Sequence, residues 1–177
     1  HTFAKDGTKS IVQYLKPLGY RVALSGKRHI SPTSIFNFEY STKGNNPDLD
    51  VIDTLFGECK DSKTPFCLFA CSNEPHSPWN KGDASQYDAA KIKLPPYFVD
   101  TPKTREDMVN YLAEITYYDW QVGQCLKLLK KHGLEKNTLV VVVSEQGSGF
   151  AFGKWTCYDT GLQSAMIARW PGHIKPN

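Results

Sequence analysis

Two oxygen donors stand side by side just after the most apolar stretch of the chain. The valine run Val140 to Val143 precedes Glu145 and Gln146. An unbroken β-branched run is typical of a strand buried on both faces, as in a parallel sheet covered by helices. A carboxylate beside a carboxamide suits a hard cation such as Ca²⁺ or Mg²⁺, and Lys154 would neutralise an anion next to that cation. The alternative is an ordinary polar turn that ends a strand.

A second polar group follows a shorter apolar segment. Tyr20 to Leu24 (YRVAL) favours a strand that runs into Gly26, Lys27 and His29. Lys27 and His29 are two positions apart, so their side chains point to the same side of an extended segment. Two cationic or hydrogen-donating groups on one side would bind a tetrahedral oxyanion. A basic surface loop is the alternative interpretation.

A histidine follows the third apolar segment. Pro65 to Ser72 (PFCLFACS) is typical of a buried strand, and His76 lies a few residues beyond it, between Pro75 and Pro78. The prolines stiffen the backbone and disfavour a helix. A histidine held in this way is a candidate general acid or a donor to a substrate. Alternatively, it is a loop histidine packed on Trp79.

Helices and loops must position these groups. Apolar spacing predicts a helix within residues 7–17, a short helix over Pro47–Phe56 and a long helix over Thr101–Gly133. For the long helix we predict an N-cap at Thr104 and a C-cap at Gly133. Its predicted core stripe comprises Met108, Tyr111, Leu112, Ile115, Tyr118, Val122, Leu126 and Leu129. Residues 81–102 form a long loop, and loops of this length often bind ligands.

The composition excludes several classes of protein. The 177 residues are 40% hydrophobic and 22% charged, with a net charge of +3 spread along the chain. This is a globular composition of single-domain size, without the basic surface of a nucleic-acid-binding protein. No apolar run reaches the roughly 20 residues of a membrane span. The five cysteines form no CxxC pair, and Cys67 and Cys71 are expected to be buried thiols.

The candidate groups share one predicted geometry. Each of the three polar groups follows an apolar strand at its carboxyl end, and Lys154 follows the last strand by a short loop. Parallel strands would bring all of these side chains to one edge of an α/β sheet. A cation site, two lysines and two histidines at that edge would bind a tetrahedral dianion ester and move protons during its cleavage.

Several segments in this order resemble type I sulfatases of the alkaline phosphatase superfamily. GYRVALSGKRHI is similar to the family's GYxTxxxGKxH signature, and PFCLFACSNEPHSPW to its strand with a proline–histidine turn. GLEKNTLVVVVSEQG resembles the family's strand and metal-binding turn, and GKWTCYDTGLQSAMIARWPG resembles its lysine segment and closing strand. The resemblance implies an α/β fold: part of an alkaline-phosphatase-like, mostly parallel sheet flanked by helices.

The resemblance implies a role for each candidate residue. Lys27 and His29 would contact the sulfate and the leaving oxygen or the nucleophile. His76 would be the general acid for the leaving group, and Lys154 a second lysine on the sulfate.

Glu145 and Gln146 would hold Ca²⁺ (or Mg²⁺). The common pattern of the family has Asp followed by Asn or His at these positions, so both side chains here depart from it.

The same resemblance indicates a substrate class. Residues 26–40 and the PPYFVDTP segment are most similar to N-sulfoglucosamine sulfohydrolases, the heparan N-sulfatases. We therefore expect a sulfated glycan, an amino sugar in particular, or another small sulfate ester as the partner, with no nucleic acid and no membrane. The resemblance to this family also implies a periplasmic, lysosomal or secreted location.

The defining nucleophile motif of the family is absent from the sequence. No Cys-x-Pro-x-Arg or Ser-x-Pro-x-Arg occurs in residues 1–177. The resemblance therefore implies that residues 1–177 are the central part of a catalytic domain. The first strand with the formylglycine nucleophile and the C-terminal subdomain would lie outside them. We expect the 177-residue chain alone to be inactive, because it brings no nucleophile.

Two other functions fit parts of the pattern. The first is a phosphodiesterase or phosphonate hydrolase of the same superfamily, which usually holds two metals with more Asp and His ligands. The second is a non-catalytic glycan-binding relative that has lost its nucleophile.

Overall fold

Strand β1, Arg21–Gly26, is the centre of a three-stranded parallel sheet. In the computed structural model, which describes residues 3–41 and 44–177, β1 lies between β2 (Glu39–Tyr40) and β3 (Phe66–Cys71). Both neighbours run parallel to β1, and Gly26 pairs with Cys71. The predicted strands after residues 20 and 65 are therefore confirmed. The two-residue strand β2 was not predicted, because so short a segment has no apolar periodicity of its own.

Helix α2, Leu49–Ser62, packs on this sheet, and it is longer than the predicted helix. It begins at Asp48, whose carboxylate accepts hydrogen bonds from the backbone N–H groups of Asp50 and Val51; an aspartate is among the best N-caps. A short helix, α1 (Ile11–Leu15), precedes β1. The buried positions of α2 follow helical spacing and comprise Ile52, Leu55, Phe56 and Cys59.

The chain divides into two compact units. The first consists of the chain up to Asn73 together with Gln124–Glu135, and it contains the parallel sheet, α1 and α2. The second consists of Glu74–Gly123 and Lys136–Asn177. Of the residues predicted for the site, Lys27 and His29 belong to the first unit, and the others to the second.

Helix α3, Pro102–Lys131, is the longest element. The prediction of Thr104 as its N-cap was wrong: the hydroxyl of Thr101 accepts from the Thr104 N–H at 3.1 Å, and Pro102 takes the first helical position, where its missing N–H costs nothing. Gly133, with φ +67°, follows the helix, as predicted for its end. Within the described residues, no helix is both long and apolar enough to cross a membrane.

The core stripe of α3 differs from the predicted one. Ile115 is 38% exposed, whereas Ala113 and Glu114 are 1% and 0% exposed. The apolar spacing therefore located the helix and correctly predicted the buried Leu129, 4% exposed, but elsewhere it placed the buried face one position away. The reason is that the buried face depends on which segments pack against it.

Strands β4 (Val140–Val143) and β5 (Met166–Arg169) form an antiparallel pair in the second unit. The expectation that the valine run is buried on both faces was wrong, since Val141 and Val143 are 46% and 54% exposed. Alternating exposure is usual for an antiparallel pair with one covered face. A short helix, α4 (Asp159–Leu162), lies between the two strands.

The cysteines are free thiols at the described positions. Cys67 and Cys71 were expected to be buried and are only half-buried, because β3 has a less covered face than β1. Partial burial raises the pKa of both thiols.

We predict that Ile52→Ala destabilises the chain by about 2–5 kcal/mol, because it leaves a cavity at a fully buried position. Val51→Ala is the matched control on the same helix; Val51 is 42% exposed, and its truncation should cost less than about 0.5 kcal/mol. Urea unfolding with an unchanged denaturant slope measures both. Equal midpoints for the two variants would contradict this assignment of the core.

Candidate functional site

The turn after β1 contains a glycine, and any other residue at this position would displace the neighbouring backbone. Gly26 has φ +101°, and a β-carbon there would lie 2.0 Å from the carbonyl oxygen of Cys71. The next residue, Lys27, donates its backbone N–H to the same carbonyl at 3.0 Å. The close approach of β1 to β3 therefore fixes the backbone at the point where Lys27 leaves the sheet.

The residues beyond Gly26 leave the sheet edge with their side chains accessible. Lys27 is partly exposed and His29 is exposed. Between them, the Arg28 guanidinium lies over the Tyr40 ring, 4.4 Å from its centroid, which is a cation–π contact. The Arg28 side chain is thus packed on Tyr40 of strand β2. The groups predicted to bind an anion are its two sequence neighbours, Lys27 and His29.

His76 is presented on the surface of the second unit with one ring nitrogen already engaged. Its side chain is exposed, and Nδ1 lies 2.6 Å from the carbonyl oxygen of Ser77. Because a carbonyl only accepts, Nδ1 carries a hydrogen and donates it. In the neutral ring, Nε2 is then the nitrogen that accepts a proton, and it is the nitrogen that delivers one when the ring is an imidazolium.

The turn after β4 carries the predicted metal ligands. Glu145 is exposed, and the Gln146 amide, with its nitrogen toward Glu145, donates to the two carboxylate oxygens at 3.1 and 3.3 Å. Gly147 follows, and a β-carbon there would lie 1.6 Å from the Thr160 carbonyl oxygen. Backbone contact thus holds this turn against the start of α4.

Lys154 closes the loop that begins at this turn. Its backbone N–H donates to the Ser148 carbonyl at 2.7 Å. A β-carbon on the preceding Gly153 would lie 2.2 Å from the same oxygen. The Lys154 ammonium is 5.6 Å from the centroid of the Trp155 ring. The loop backbone therefore determines where the Lys154 side chain begins.

An aromatic cluster joins the His76 turn to the loop that carries Glu145 and Lys154. The Phe150 ring stacks on Trp79 with a centroid distance of 4.6 Å, and it contacts Tyr111 and Phe98 at 5.3 and 5.2 Å. Burial raises the pKa of the Tyr111 phenol, while a hydrogen bond with Ser148 acts in the opposite direction. The structure thus brings together two of the segments that were predicted to form the site.

That all the candidate residues meet at one site stays a prediction. Lys27 and His29 lie in the first unit, whereas His76, Glu145, Gln146 and Lys154 lie in the second. In residues 3–41 and 44–177, no group of three or more His, Cys, Asp or Glu side chains is placed to hold a metal ion.

Two features of the second unit were not predicted. Tyr97, Phe152, Tyr158, Asp159 and Thr160 line a cavity of about 380 Å³. Tyr97 belongs to the long loop that was expected to bind ligands; no sequence motif marked the others.

The second feature is a pair of buried carboxyl groups, Glu74 and Glu114, which are 8% and 0% exposed. Glu74 lies within the segment that contains His76, and its proximity to His76 was the one available signal.

Comparison with known proteins identifies the family. The sequence model of the family described as Sulfatase matches residues 3–177. The chain belongs to the sulfatase family. It is 31% identical over 185 residues to an ulvan-active sulfatase of Formosa agariphila, covering 99% of this chain and 36% of that sulfatase. It is 23% identical over 208 residues to the N-sulphoglucosamine sulphohydrolase of Homo sapiens, covering 99% of this chain and 41% of the human enzyme.

A solved structure supports the fold. A structural-genomics sulfatase target from Bacteroides fragilis superposes with a TM-score of 0.82 at 21% identity, covering 99% of this chain and 52% of that chain. A likeness at this identity establishes the fold alone, and it confirms the predicted α/β class. The chain spans 36–41% of the length of the two curated sulfatases.

We predict that Gly26→Ala destabilises the sulfatase chain by about 1–3 kcal/mol or more, because both its positive φ and the Cys71 carbonyl exclude a β-carbon. Gly123→Ala is the control: it lies within α3 with no atom within 4 Å of the added carbon. This variant should be stabilised by about 1 kcal/mol, because alanine favours a helix. Thermal unfolding compares the two, and a wild-type midpoint for Gly26→Ala would contradict the steric argument.

Proposed function

We propose that the protein hydrolyses sulfate esters or N-sulfates of sulfated sugars, and that residues 1–177 supply part of its sulfate and metal site. The observation that carries this proposal is the family match, which runs through residues 3–177 and so includes all of the candidate polar segments. Residues 1–177 would then be the central part of the catalytic domain.

The cationic side chains would bind the sulfate group. Lys27 and Lys154 each follow a backbone segment that is fixed by a close glycine contact. Ammonium groups that extend from such fixed backbone positions would neutralise the charge on the sulfate oxygens with little backbone reorganisation during the reaction. His29, two residues from Lys27, would contact the leaving oxygen or the nucleophile.

His76 would deliver the proton to the leaving group. Since Nδ1 donates to the Ser77 carbonyl, the proton that is transferred would be the one on Nε2 of the imidazolium. The Nδ1 hydrogen bond would hold the ring orientation while the proton leaves.

Glu145 and Gln146 would be two ligands of Ca²⁺ or Mg²⁺. One carboxylate and one carboxamide match the oxygen donors that these cations prefer. They form part of a coordination sphere, because Ca²⁺ takes about six to eight oxygen ligands. Gln146 would have to turn its amide so that the oxygen faces the cation. When bound, the cation supplies Lewis-acid polarisation of a sulfate oxygen.

The substrate would be a sulfated sugar. Three aromatic rings line the cavity of about 380 Å³ in the second unit, together with Asp159 and Thr160. Aromatic rings cover the apolar faces of a sugar, and the two polar side chains would bond its hydroxyl groups. The similarity to an ulvan-active sulfatase and to N-sulphoglucosamine sulphohydrolase supports this substrate class.

We predict that the 177-residue polypeptide alone releases no sulfate, whereas the full-length gene product does. The reason is that residues 1–177 contain no formylglycine motif, and the nucleophile would lie elsewhere in the protein. Sulfate release from an aryl sulfate, assayed beside phosphate release from an aryl phosphodiester, measures this. Turnover of aryl sulfate by the polypeptide alone, or a preference of the full-length product for the phosphodiester, would contradict it.

In the full-length product, we predict that Lys154→Ala lowers kcat/KM for sulfate release by about 10²–10³-fold, as expected for the loss of a preorganised cation. His76→Ala should lower it by about 10²–10⁴-fold, and less for substrates with good leaving groups, which need no general acid. Lys91→Ala is the control, because the Lys91 side chain is 85% exposed. Equal losses in all three variants would refute these roles.

A further inference from the structure

The turn that carries His76 is seated on a short stretch of α3. Gly82, which directly follows this turn (residues 74–81), has φ +72°, and a β-carbon there would lie 2.2 Å from the carbonyl oxygen of Ala113. The Trp79 ring contacts Tyr111 edge-on, with a centroid distance of 5.7 Å. The backbone and the tryptophan of the turn are thus both in contact with one segment of the helix, residues 111–113.

The next residue on the helix, Glu114, bonds directly to the turn. Its side chain is 0% exposed. Oε1 accepts the backbone N–H of Asn80 at 2.6 Å and that of Lys81 at 2.8 Å. Among the residues that the structure describes, Oε2 has no hydrogen-bond partner. Burying an ionised carboxylate without full pairing is costly, so this environment favours the neutral carboxyl of Glu114.

Glu74 faces Glu114 from the start of the same turn and is 8% exposed. Burial raises the pKa of Glu114 to about 7, the neighbouring Glu74 carboxyl acts in the same direction, and the two backbone amides oppose it. Two adjacent carboxyl groups resist ionising together. Near neutral pH the Glu114 carboxyl is therefore protonated in a large fraction of the molecules.

Glu114 thus contacts both ends of the segment that has His76 in its middle. Glu74 precedes His76 by two residues, and Asn80 and Lys81 follow it. Pro75 and Pro78 restrict the backbone between these two anchors. A catalytic side chain on a loop needs such support to keep its geometry.

We propose that Glu114 is a positioning residue: its buried carboxyl closes the 74–81 turn onto α3 and thereby fixes the His76 ring for proton transfer. The functional part of this inference rests on the proposed role of His76. The structural part, the clamping of the turn, stands without it.

The pH dependence has a defined sign. The folded-state pKa of Glu114, about 7, lies above its ordinary value of 4.5. The contribution of Glu114 to the stability of the clamped turn is therefore fully present below pH 4.5, where the carboxyl is protonated. This contribution is lost as the pH rises through about 7. Glu74 of the turn is the ionisable group that acts on Glu114, and the backbone amides of Asn80 and Lys81 act on it in the opposite direction.

The structural test uses amide hydrogen exchange of the 177-residue chain, followed by NMR. Glu114→Ala removes the acceptor, so the Asn80 and Lys81 amides should exchange at least about tenfold faster. Glu114→Gln keeps an acceptor oxygen and should retain their protection, but it should abolish the change in protection between pH 4.5 and 7.5. Glu106→Gln, an exposed position on the same helix, should match the wild type.

Two outcomes would overturn the clamp: unchanged exchange at Asn80 and Lys81 in folded Glu114→Ala, or a pH dependence in Glu114→Gln equal to that of the wild type. If Glu114→Ala does not fold, the comparison of Glu114→Gln with the wild type decides alone.

The functional test uses the full-length product and aryl sulfate. Glu114→Ala should lower kcat by about tenfold or more with KM nearly unchanged, and Glu114→Gln should restore most of that loss below pH 7. A rise in KM alone would refute positioning of His76. Absence of activity in the wild type would refute the proposed function, and it would leave the exchange result to decide the clamp.

Discussion

The structure depends on close contact between backbones at the ends of its strands. A β-carbon at Gly26 would run into the carbonyl of Cys71, one at Gly147 into Thr160, and one at Gly153 into Ser148. In each case a turn that carries a candidate site residue is pressed against a neighbouring segment. Because atoms cannot overlap, these contacts set the backbone positions from which Lys27, Glu145 and Lys154 extend.

The two units of the sulfatase chain use different means to hold their polar residues. In the first unit the central strand β1 is hydrogen-bonded on both sides, and its residues 22–25 are buried. The sheet therefore restrains the backbone of the turn that follows β1. The His76 turn of the second unit is separated from the end of the paired strand β3 by Ser72 and Asn73. It is held instead by an aromatic stack between Trp79 and Phe150 and by the buried carboxyl of Glu114.

Sequence reasoning located most strands and the long helix, but it failed at several buried faces and at the N-cap of α3. The strands after residues 20, 65 and 138 and the long helix were predicted from local apolar patterns and are present. Thr104 was wrongly chosen as an N-cap, because Pro102 already fits the first turn. Ile115 was wrongly assigned to the core and Glu114 was missed, because a polar residue can be buried where turn amides pair with it. The exposure of Val143 was missed because exposure depends on the partner strand.

What the sequence by itself determined is the order of chemically useful residues after strand-forming segments, together with membership of the sulfatase family. Both are local properties: strand and turn preferences act over a few residues, and a family pattern is a linear sequence of motifs. Only the tertiary structure decided that β4 pairs antiparallel with β5, and that Glu114 contacts the turn 33 and 34 residues before it. These are contacts between segments far apart in the chain, so no local pattern encodes them.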